Sequence, residues 1–151
     1  LASSAFIICA SPAYLAQHGT PQTPQQLLEH QALLPAVSAV RRELTLYDHA
    51  GQKTNLPLIP ALLSSSQIEL LLAACLAGLG IAGLPSFIAE QALNNGALVR
   101  VLPEWQGTTL YLYAAMPTRK HIPARTRVFV DFLVQTFGGS GSDPWLKATQ
   151  R

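Results

Sequence analysis

Residues 64–87, SSSQIELLLAACLAGLGIAGLPSF, decide the fold of this chain. Residues 66–69, SQIE, have the capping-box spacing, in which the serine oxygen accepts a backbone N–H and the glutamate reaches back to the cap. Residues 68–79 are apolar on nearly every face of a helix, and either Gly78 or Gly80 can take the left-handed conformation that ends one. We therefore expect a buried helix that begins at the serine of this box.

The residues after this helix predict a strand and a second helix. Residues 81–84 are a short apolar run typical of an interior strand, and Pro85 ends it before a helix begins at Ser86. Residues 78–83, GLGIAG, match the G-x-G-x-x-G pattern of dinucleotide-binding proteins, but that fingerprint follows a strand and opens a helix. Because the order is inverted here, the glycines predict a helix end and a tight turn where a side chain would collide.

Three serines stand at the predicted start of the helix. Free backbone N–H groups and the positive end of the helix dipole attract anions at such a position. Serine clusters are more often plain helix caps, and the pattern alone leaves both interpretations open. Ser64, Ser65 and Ser66 are nevertheless our candidates for contact with a small, carboxylate-bearing molecule.

Composition limits the class of protein. With 151 residues, 49% hydrophobic and 12% charged, the chain can bury one sizeable core. A net charge of +2 gives no strong basic surface for nucleic acid, so we do not expect this chain alone to hold DNA. Residues 1–10 lack the basic start of a secretory signal, and the glycines and proline within the uncharged residues 70–89 disfavour a membrane span. We expect a cytoplasmic protein without a membrane contact.

The chain carries little that suggests catalysis. Its four histidines show no metal-ligand spacing, its carboxylates form no close pair, and no nucleophile motif occurs. We therefore expect no enzyme activity, no catalytic residue, no metal and no cofactor. Cys9 and Cys75 stand alone in apolar surroundings, which is typical of reduced core residues, although a redox pair stays open.

The remaining segments alternate between strand and helix patterns, which predicts an α/β sheet covered on both faces. Residues 138–142, GGSGS, have the composition of a flexible linker, and Trp145 or Leu146 beyond it is a candidate for docking on the domain. The predicted elements are a strand at 6–10, a helix from Pro12 to Gln17, a capping-box helix at 23–30, a strand at 32–35, a hairpin of 44–47 and 56–59, strands at 98–102 and 110–115, and a helix from Pro123 to Gly138.

Several of these segments resemble the effector-binding domain of LysR-type transcriptional regulators. Their order and spacing carry the resemblance, because no single motif is very specific. The matching segments are ASPAYL at 10–15 with Gly19 and Pro21, TPQQL at 23–27 with His30, the helix and glycine-rich turn at 66–85, GALV at 96–99 with VLP at 101–103, and FVDFL at 129–133.

The resemblance implies an α/β fold of the periplasmic-binding-protein type 2-like kind, in which two subdomains joined by two crossing strands hold a small effector between them. Residues 11–114 would form a complete effector-binding subdomain II. Residues 1–10 and 115–137 would form a partial subdomain I with the crossover strands, and residues 138–151 a C-terminal tail. The crossing points, or hinge, would be Ala10, Ser11, Ala114, Ala115 and Met116.

The resemblance also assigns roles around the cleft. Ser11, Ser64, Ser65 and Ser66 fall where family members place hydroxyl contacts to the effector, and the segment from Gly80 to Pro85 would form one cleft wall. The implied function is ligand sensing for a DNA-binding transcription factor. A solute-binding protein of a transporter is the alternative, which the missing secretory pattern and the unpaired cysteines disfavour.

Compared with the family pattern, this sequence shows no N-terminal helix-turn-helix and no first part of subdomain I. DNA would be reached only through those missing heads. The apolar face of the last helix would lack its usual sheet, and exposed apolar surface of that size predicts a homodimer or a higher homo-oligomer.

Overall fold

The computed structural model describes residues 1–36, 43–57, 61–115, 123–137 and 143–148, which form an α/β domain with two sheets. The strands are β1 (Ala2–Ala10), β2 (Ala32–Pro35), β3 (Glu43–Asp48), β4 (Lys53–Pro57), β5 (Leu63–Ser65), β6 (Ile81–Pro85), β7 (Val99–Arg100), β8 (Trp105–Gln106) and β9 (Thr109–Leu112). The helices are α1 (Pro12–His18), a 3₁₀ helix (Pro24–Glu29), α2 (Ile68–Leu76), α3 (Ser86–Asn94), α4 (Ala124–Phe137) and α5 (Pro144–Ala148).

The main sheet is built around β1. Its strand order is β5-β2-β6-β1-β7, and β9 also pairs with β1. β2 runs parallel to β5 and β6, whereas β1 is antiparallel to β6, β7 and β9. The smaller sheet has the order β4-β3-β8 and contains the predicted hairpin, whose residues 58 and 59 lie outside the described part of the chain.

Hydrophobic residues cover both faces of the main sheet, as predicted. Ile7 and Cys9 of β1 lie in one core with residues of α2 and α3, including Leu71. Ile8, which points to the opposite face, lies in a second core with Leu46 of the hairpin. Alternate residues of one strand therefore serve two different layers, because successive side chains of a strand point to opposite faces.

The start of α2 differs from the sequence prediction. The helix begins at Ile68, its N-cap is Gln67, and no side chain caps it. Ser64 and Ser65 belong to β5, which pairs with Leu34 and Pro35 of β2 and therefore holds both serines in an extended conformation. The capping box at Ser66 is wrong because the helix begins only at Ile68, so Gln67 and not Ser66 occupies the N-cap position.

The burial predicted for α2 is also wrong on one side. Leu71, Ala74 and Cys75 pack onto the sheet, but Leu70 is 46% exposed and Leu76 is 43% exposed. The helix covers the sheet as an outer layer and has no second layer above it in the described structure. The apolar composition of α2 predicted burial on all sides, but in the structure only one side of the helix packs against other residues.

The other helix predictions are confirmed in position with one change in type. α1 begins at Pro12 and ends before Gly19, whose φ is 82°. The second predicted capping box is wrong, because Thr23 makes no side-chain cap and Gln26 Oε1 accepts instead from Gln22 N at 2.6 Å. The segment that follows, Pro24–Glu29, is a 3₁₀ helix.

Two glycines end α2 and start β6 as the sequence predicted. Gly78, with φ 77°, donates its N–H to Cys75 O at 3.0 Å while Leu79 N donates to Ala74 O at 3.1 Å, which is a Schellman ending. Gly80 lies against Gln31, whose carbonyl oxygen accepts from Ile81 N at 2.8 Å. A Cβ on Gly80 would collide with that carbonyl oxygen. The turn therefore requires glycine for two separate reasons.

Replacing Gly80 with alanine should destabilise the domain by about 2 kcal/mol, since the backbone of Gln31 cannot move aside without losing its bond to β6. The matched control is Gly83→Ala in the same strand, where a Cβ would meet no atom within 4 Å. Denaturant unfolding followed by circular dichroism measures both changes, and we expect the control to stay within about 1 kcal/mol of the parent. Equal stability of the two variants would contradict this account.

Candidate functional site

A cavity of about 510 Å³ lies between the main sheet and the β3–β4 hairpin. Leu34 and Pro35, at the carboxyl end of β2, line it together with Ser64 of the neighbouring parallel strand β5. The cavity extends along the face of the sheet, since Ala32 at the amino end of β2 and Ile81 at the amino end of β6 line it as well. The volume is within the range of ordinary ligand pockets.

The walls of the cavity are mainly apolar. Phe6 and Ile8 of β1 and Ile81 of β6 form the sheet side, while Leu44 and Leu46 contribute the hairpin side. Leu44 and Leu46 of β3 thus face the sheet, and the space between the hairpin and the sheet stays open. Such walls favour a ligand with an apolar body.

Gly83 keeps the cavity open. It lines the cavity from β6, opposite Ile8 of β1, and a Cβ built on it would meet no atom within 4 Å. A glycine inside a strand often marks a place where a ligand or another backbone comes close. Here it leaves free volume where any other residue would project a side chain.

A few polar groups interrupt the apolar walls. Gln31, Ser64 and Thr108 offer amide and hydroxyl groups. The Thr45 hydroxyl instead donates to Asn55 Oδ1 at 3.2 Å, on the hairpin face opposite Leu44 and Leu46. Glu43 is the only charged residue among the described residues that line the cavity. Such a small set of polar groups in an apolar pocket is what fixes the orientation of a bound molecule.

Gln31 is held at the cavity by a small network from α1. Its backbone N–H donates to Tyr14 Oη at 3.0 Å, and the same hydroxyl lies 3.2 Å from His30 Nδ1. Burial lowers the pKa of His30, as does the nearby His18, so the neutral ring that can accept from Tyr14 is favoured. Tyr14 itself is 2% exposed, so the network is anchored in the second core.

Among the predicted serines, the structure brings only Ser64 to the cavity. Ser65 Oγ accepts from Gln67 N at 3.0 Å, and Ser66 is exposed outside the cavity lining. The Ser64 hydroxyl therefore lies at the cavity, the Ser65 hydroxyl is bonded to the backbone, and Ser66 is exposed outside the cavity.

Ser11, Gly80 and Pro85 do not line the cavity either. Ser11 is 4% exposed, and its Oγ caps α1 by accepting from Tyr14 N at 3.3 Å. Gly80 precedes β6 and Pro85 ends it, opposite Phe6 of β1. These residues position the strand whose Ile81 and Gly83 form part of the wall.

The predicted hinge residues lie at two different depths. Ala10 is fully buried and pairs with Val99 within the main sheet, directly before the Ser11 cap. Ala114 and Ala115 are exposed after the end of β9, and Met116 lies outside the described residues. The assignment of the chain crossings to these residues stays a prediction.

Sequence reasoning missed most of the residues that line the cavity. Gln31, Thr45 and Thr108 come from three separate connections or strands and share no motif. The one usable signal was the alternation in residues 44–46, which predicts that Leu44 and Leu46 share a face over the sheet.

The two cysteines are free and buried without any exposed surface. Cys75 Sγ donates to Cys9 O at 3.4 Å. Burial raises the pKa of Cys75 to about 11 and raises the pKa of Cys9 further, with the neighbouring thiol adding to the effect. Both thiols are thus protonated near neutral pH, which supports the core interpretation over the redox pair.

We expect neither thiol to react with a water-soluble disulfide reagent such as Ellman's reagent in the folded protein at pH 8. Reaction requires the thiolate and access, and burial removes both. In denaturant both thiols should react at once, which serves as the control. Rapid labelling of either cysteine under native conditions, at a rate above that of unfolding, would contradict this expectation.

Within the described ranges no group of three or more His, Cys, Asp or Glu side chains could hold a metal ion. The described helices also include none that is long and apolar enough to cross a membrane.

The main sheet, with a mainly apolar cavity of ligand size against one face, fits an α/β domain of the small-molecule-binding class. Residues 1–138 match the family model for the LysR substrate binding domain. The chain belongs to this family, which is regulatory and not enzymatic and has a periplasmic-binding-protein type 2-like fold.

Named relatives are transcriptional regulators. The chain is 36% identical over 133 residues to the probable HTH-type transcriptional regulator LtrA of Klebsiella pneumoniae, covering 86% of this chain and 42% of the relative. It is 34% identical over 141 residues to the HTH-type transcriptional regulator CrgA of Neisseria meningitidis, covering 93% of this chain and 46% of that protein. The chain thus spans less than half the length of these relatives, and their class supports the regulatory prediction over the transporter alternative.

Solved structures of regulatory domains from this family have a fold similar to that of this chain. The regulatory domain of AphB from Vibrio vulnificus superimposes with a TM-score of 0.72 at 25% identity, covering 90% of this chain and 66% of that one. The CrgA regulatory domain from Neisseria meningitidis gives a TM-score of 0.66 at 32% identity, again covering 90% of this chain and 66% of that one.

Proposed function

We propose that this chain is the ligand-sensing part of a LysR-type DNA-binding transcription factor, acting in the cytoplasm, and that its effector binds in the cavity between the main sheet and the hairpin. Residues 11–114 would be the effector-binding subdomain II, and residues 1–10 and 115–137 would belong to subdomain I. Contact with DNA would run only through heads outside this chain. The carrying observation is the mainly apolar cavity of ligand size against the main sheet in a domain of this family.

The lining of the cavity supports an influence of the ligand on the proposed junction of the subdomains. Phe6 belongs to β1 and Leu110 to β9, and both side chains line the cavity. These two strands pair with each other over Ala2–Ala5 and Thr109–Leu112. An effector that contacts both strands more favourably in one arrangement of the subdomains would shift the population toward that arrangement. This population shift would be the regulatory signal.

The chemistry of the lining supports an effector with an apolar body and one polar end. Ser64 can donate to a carboxylate, and Gln31 and Thr108 are neutral donors on the same cavity. We propose a carboxylate metabolite as the effector, because Ser64, Gln31 and Thr108 can donate hydrogen bonds to a carboxylate in this cavity. Paired acid and amide compounds in a thermal-shift screen separate this proposal from a neutral effector.

Ser64→Ala should raise the dissociation constant of an effector found in such a screen by about fivefold to tenfold, the effect of losing one hydrogen bond. The matched control is Ser66→Ala, because Ser66 is an exposed serine two residues away that does not line the cavity. Isothermal titration calorimetry measures both. If Ser66→Ala weakens binding as much as Ser64→Ala, the effector lies at the serine cluster and not in the cavity.

Gly83→Phe should abolish effector binding while the domain stays folded. The new ring would occupy free volume, since nothing lies within 4 Å of a Cβ at this position. Calorimetry reports the loss of binding, and a thermal melt within a few degrees of the parent shows that the fold is intact. Undiminished binding by this variant would place the effector elsewhere.

Self-association is the second part of the proposal. Val128, Phe129 and Phe132 of α4 are 68%, 59% and 57% exposed, so three large apolar side chains of one helix lie uncovered. Patches of this kind mark protein contacts. We propose that a second copy of this chain covers them, forming a homodimer or a higher assembly.

Phe132→Glu should weaken this dimer by at least about tenfold, because a charge would have to be buried in an apolar contact. Arg127→Glu places an acidic side chain at an exposed position on the side of the same helix away from this patch and should leave the dimer intact. Light scattering across a dilution series gives both constants. A monomeric parent protein at working concentration would refute the proposal.

A further inference from the structure

The C-terminal segment returns to the main sheet and binds at the start of α3. The Asp143 carboxylate accepts from Ser86 Oγ at 2.8 and 2.9 Å and from Ala5 N at 2.8 Å. It also accepts from Leu146 N at 3.1 Å, which orders the first turn of α5. One carboxylate thus joins α5, β1 and α3.

The groups that receive this carboxylate are buried and paired. Ser4 is fully buried and Ser86 is 1% exposed, and their Oγ atoms lie 2.8 Å apart. Buried hydroxyls require hydrogen-bond partners, and bonds to a carboxylate are stronger than those between neutral groups. Ser86 is the first residue of α3, so the negative charge also lies at the positive end of that helix.

An aromatic contact holds the segment at a second point. The Trp145 ring lies 5.6 Å from the ring of Phe87 in α3 and 5.9 Å from that of Phe137 in α4, measured between ring centroids. Residues 138–142, GGSGS, precede the segment and have the composition of a flexible tether. The segment is held on the domain by the contacts of Asp143 and Trp145.

We propose that residues 143–146 form a detachable latch, whose Asp143 carboxylate binds a recognition site made by Ser4, Ala5 and Ser86. The latch fastens the first half of β1 to α3. Ala5 of that half pairs with Thr109 of β9, so the latch holds the strand pair that carries Phe6 and Leu110. Its release loosens this pair without unfolding the main sheet. The latch does not depend on the identity of the effector.

Release of the latch is measured by Trp145 fluorescence in the full chain, with Trp105→Phe in the background so that one tryptophan remains. Asp143→Asn removes the charge at nearly constant size, and Ser86→Ala removes the hydroxyl that donates to it. Each should increase acrylamide quenching of Trp145 at least about twofold, because the ring leaves Phe87 and Phe137. The control is Asp131→Asn, an exposed aspartate of α4, which should change nothing.

Hydrogen exchange tests the effect on the strand pair. In Asp143→Asn the amides of β9 should exchange at least about tenfold faster, while the amides of residues 7–9, which lie in the pairing of β1 with β6 and β7, keep their protection. Unchanged Trp145 quenching in both variants would overturn the docking site. Increased quenching with unchanged β9 exchange would overturn the latch, and loss of protection throughout the sheet would show that these contacts only stabilise the fold.

Discussion

The nine residues of β1 pair with three strands and contribute side chains to both hydrophobic cores, so the remaining layers depend on the register of this one strand. Ile7 and Cys9 face the helices, while Ile8 faces the hairpin. A slip of one residue would exchange the two faces and bury the wrong set in each core. The register of β1 is therefore strongly fixed, because a slip would disrupt its pairing with all three strands and its packing in both cores.

Because β1 is fixed in this way, it can link separate sites. Its Phe6 and Ile8 line the cavity, its first half pairs with β9, and its Ala5 N–H binds the Asp143 carboxylate. A molecule in the cavity and the C-terminal segment therefore contact neighbouring residues of a single strand. Coupling between them requires no long chain of contacts, only two arrangements of the β1–β9 pair that each site favours differently.

The sequence predicted those features that local chemistry decides. The left-handed Gly78 and the proline that opens α1 depend on neighbours in the chain, and both are confirmed. The collision predicted at the glycine turn is also confirmed, although the backbone that a Cβ on Gly80 would meet belongs to Gln31, far away in the chain. The exposed side of α2 could not be predicted, because an apolar composition does not tell which face finds a partner. The cavity residues Gln31 and Thr108 precede β2 and β9, and only the strand order of the main sheet brings them to one cavity, for which the sequence carries no local signal.

The serine cluster shows how pairing with a distant strand changes the role of adjacent residues. If Ser64, Ser65 and Ser66 opened a helix, neighbouring hydroxyls could converge on one anion. Pairing with β2 keeps Ser64 and Ser65 extended, and successive side chains of a strand point to opposite sides. Ser64 therefore faces the cavity while Ser65 accepts from the Gln67 N–H. A ligand in this cavity can receive one hydroxyl from the cluster, and the rest of its polar contacts must come from other elements.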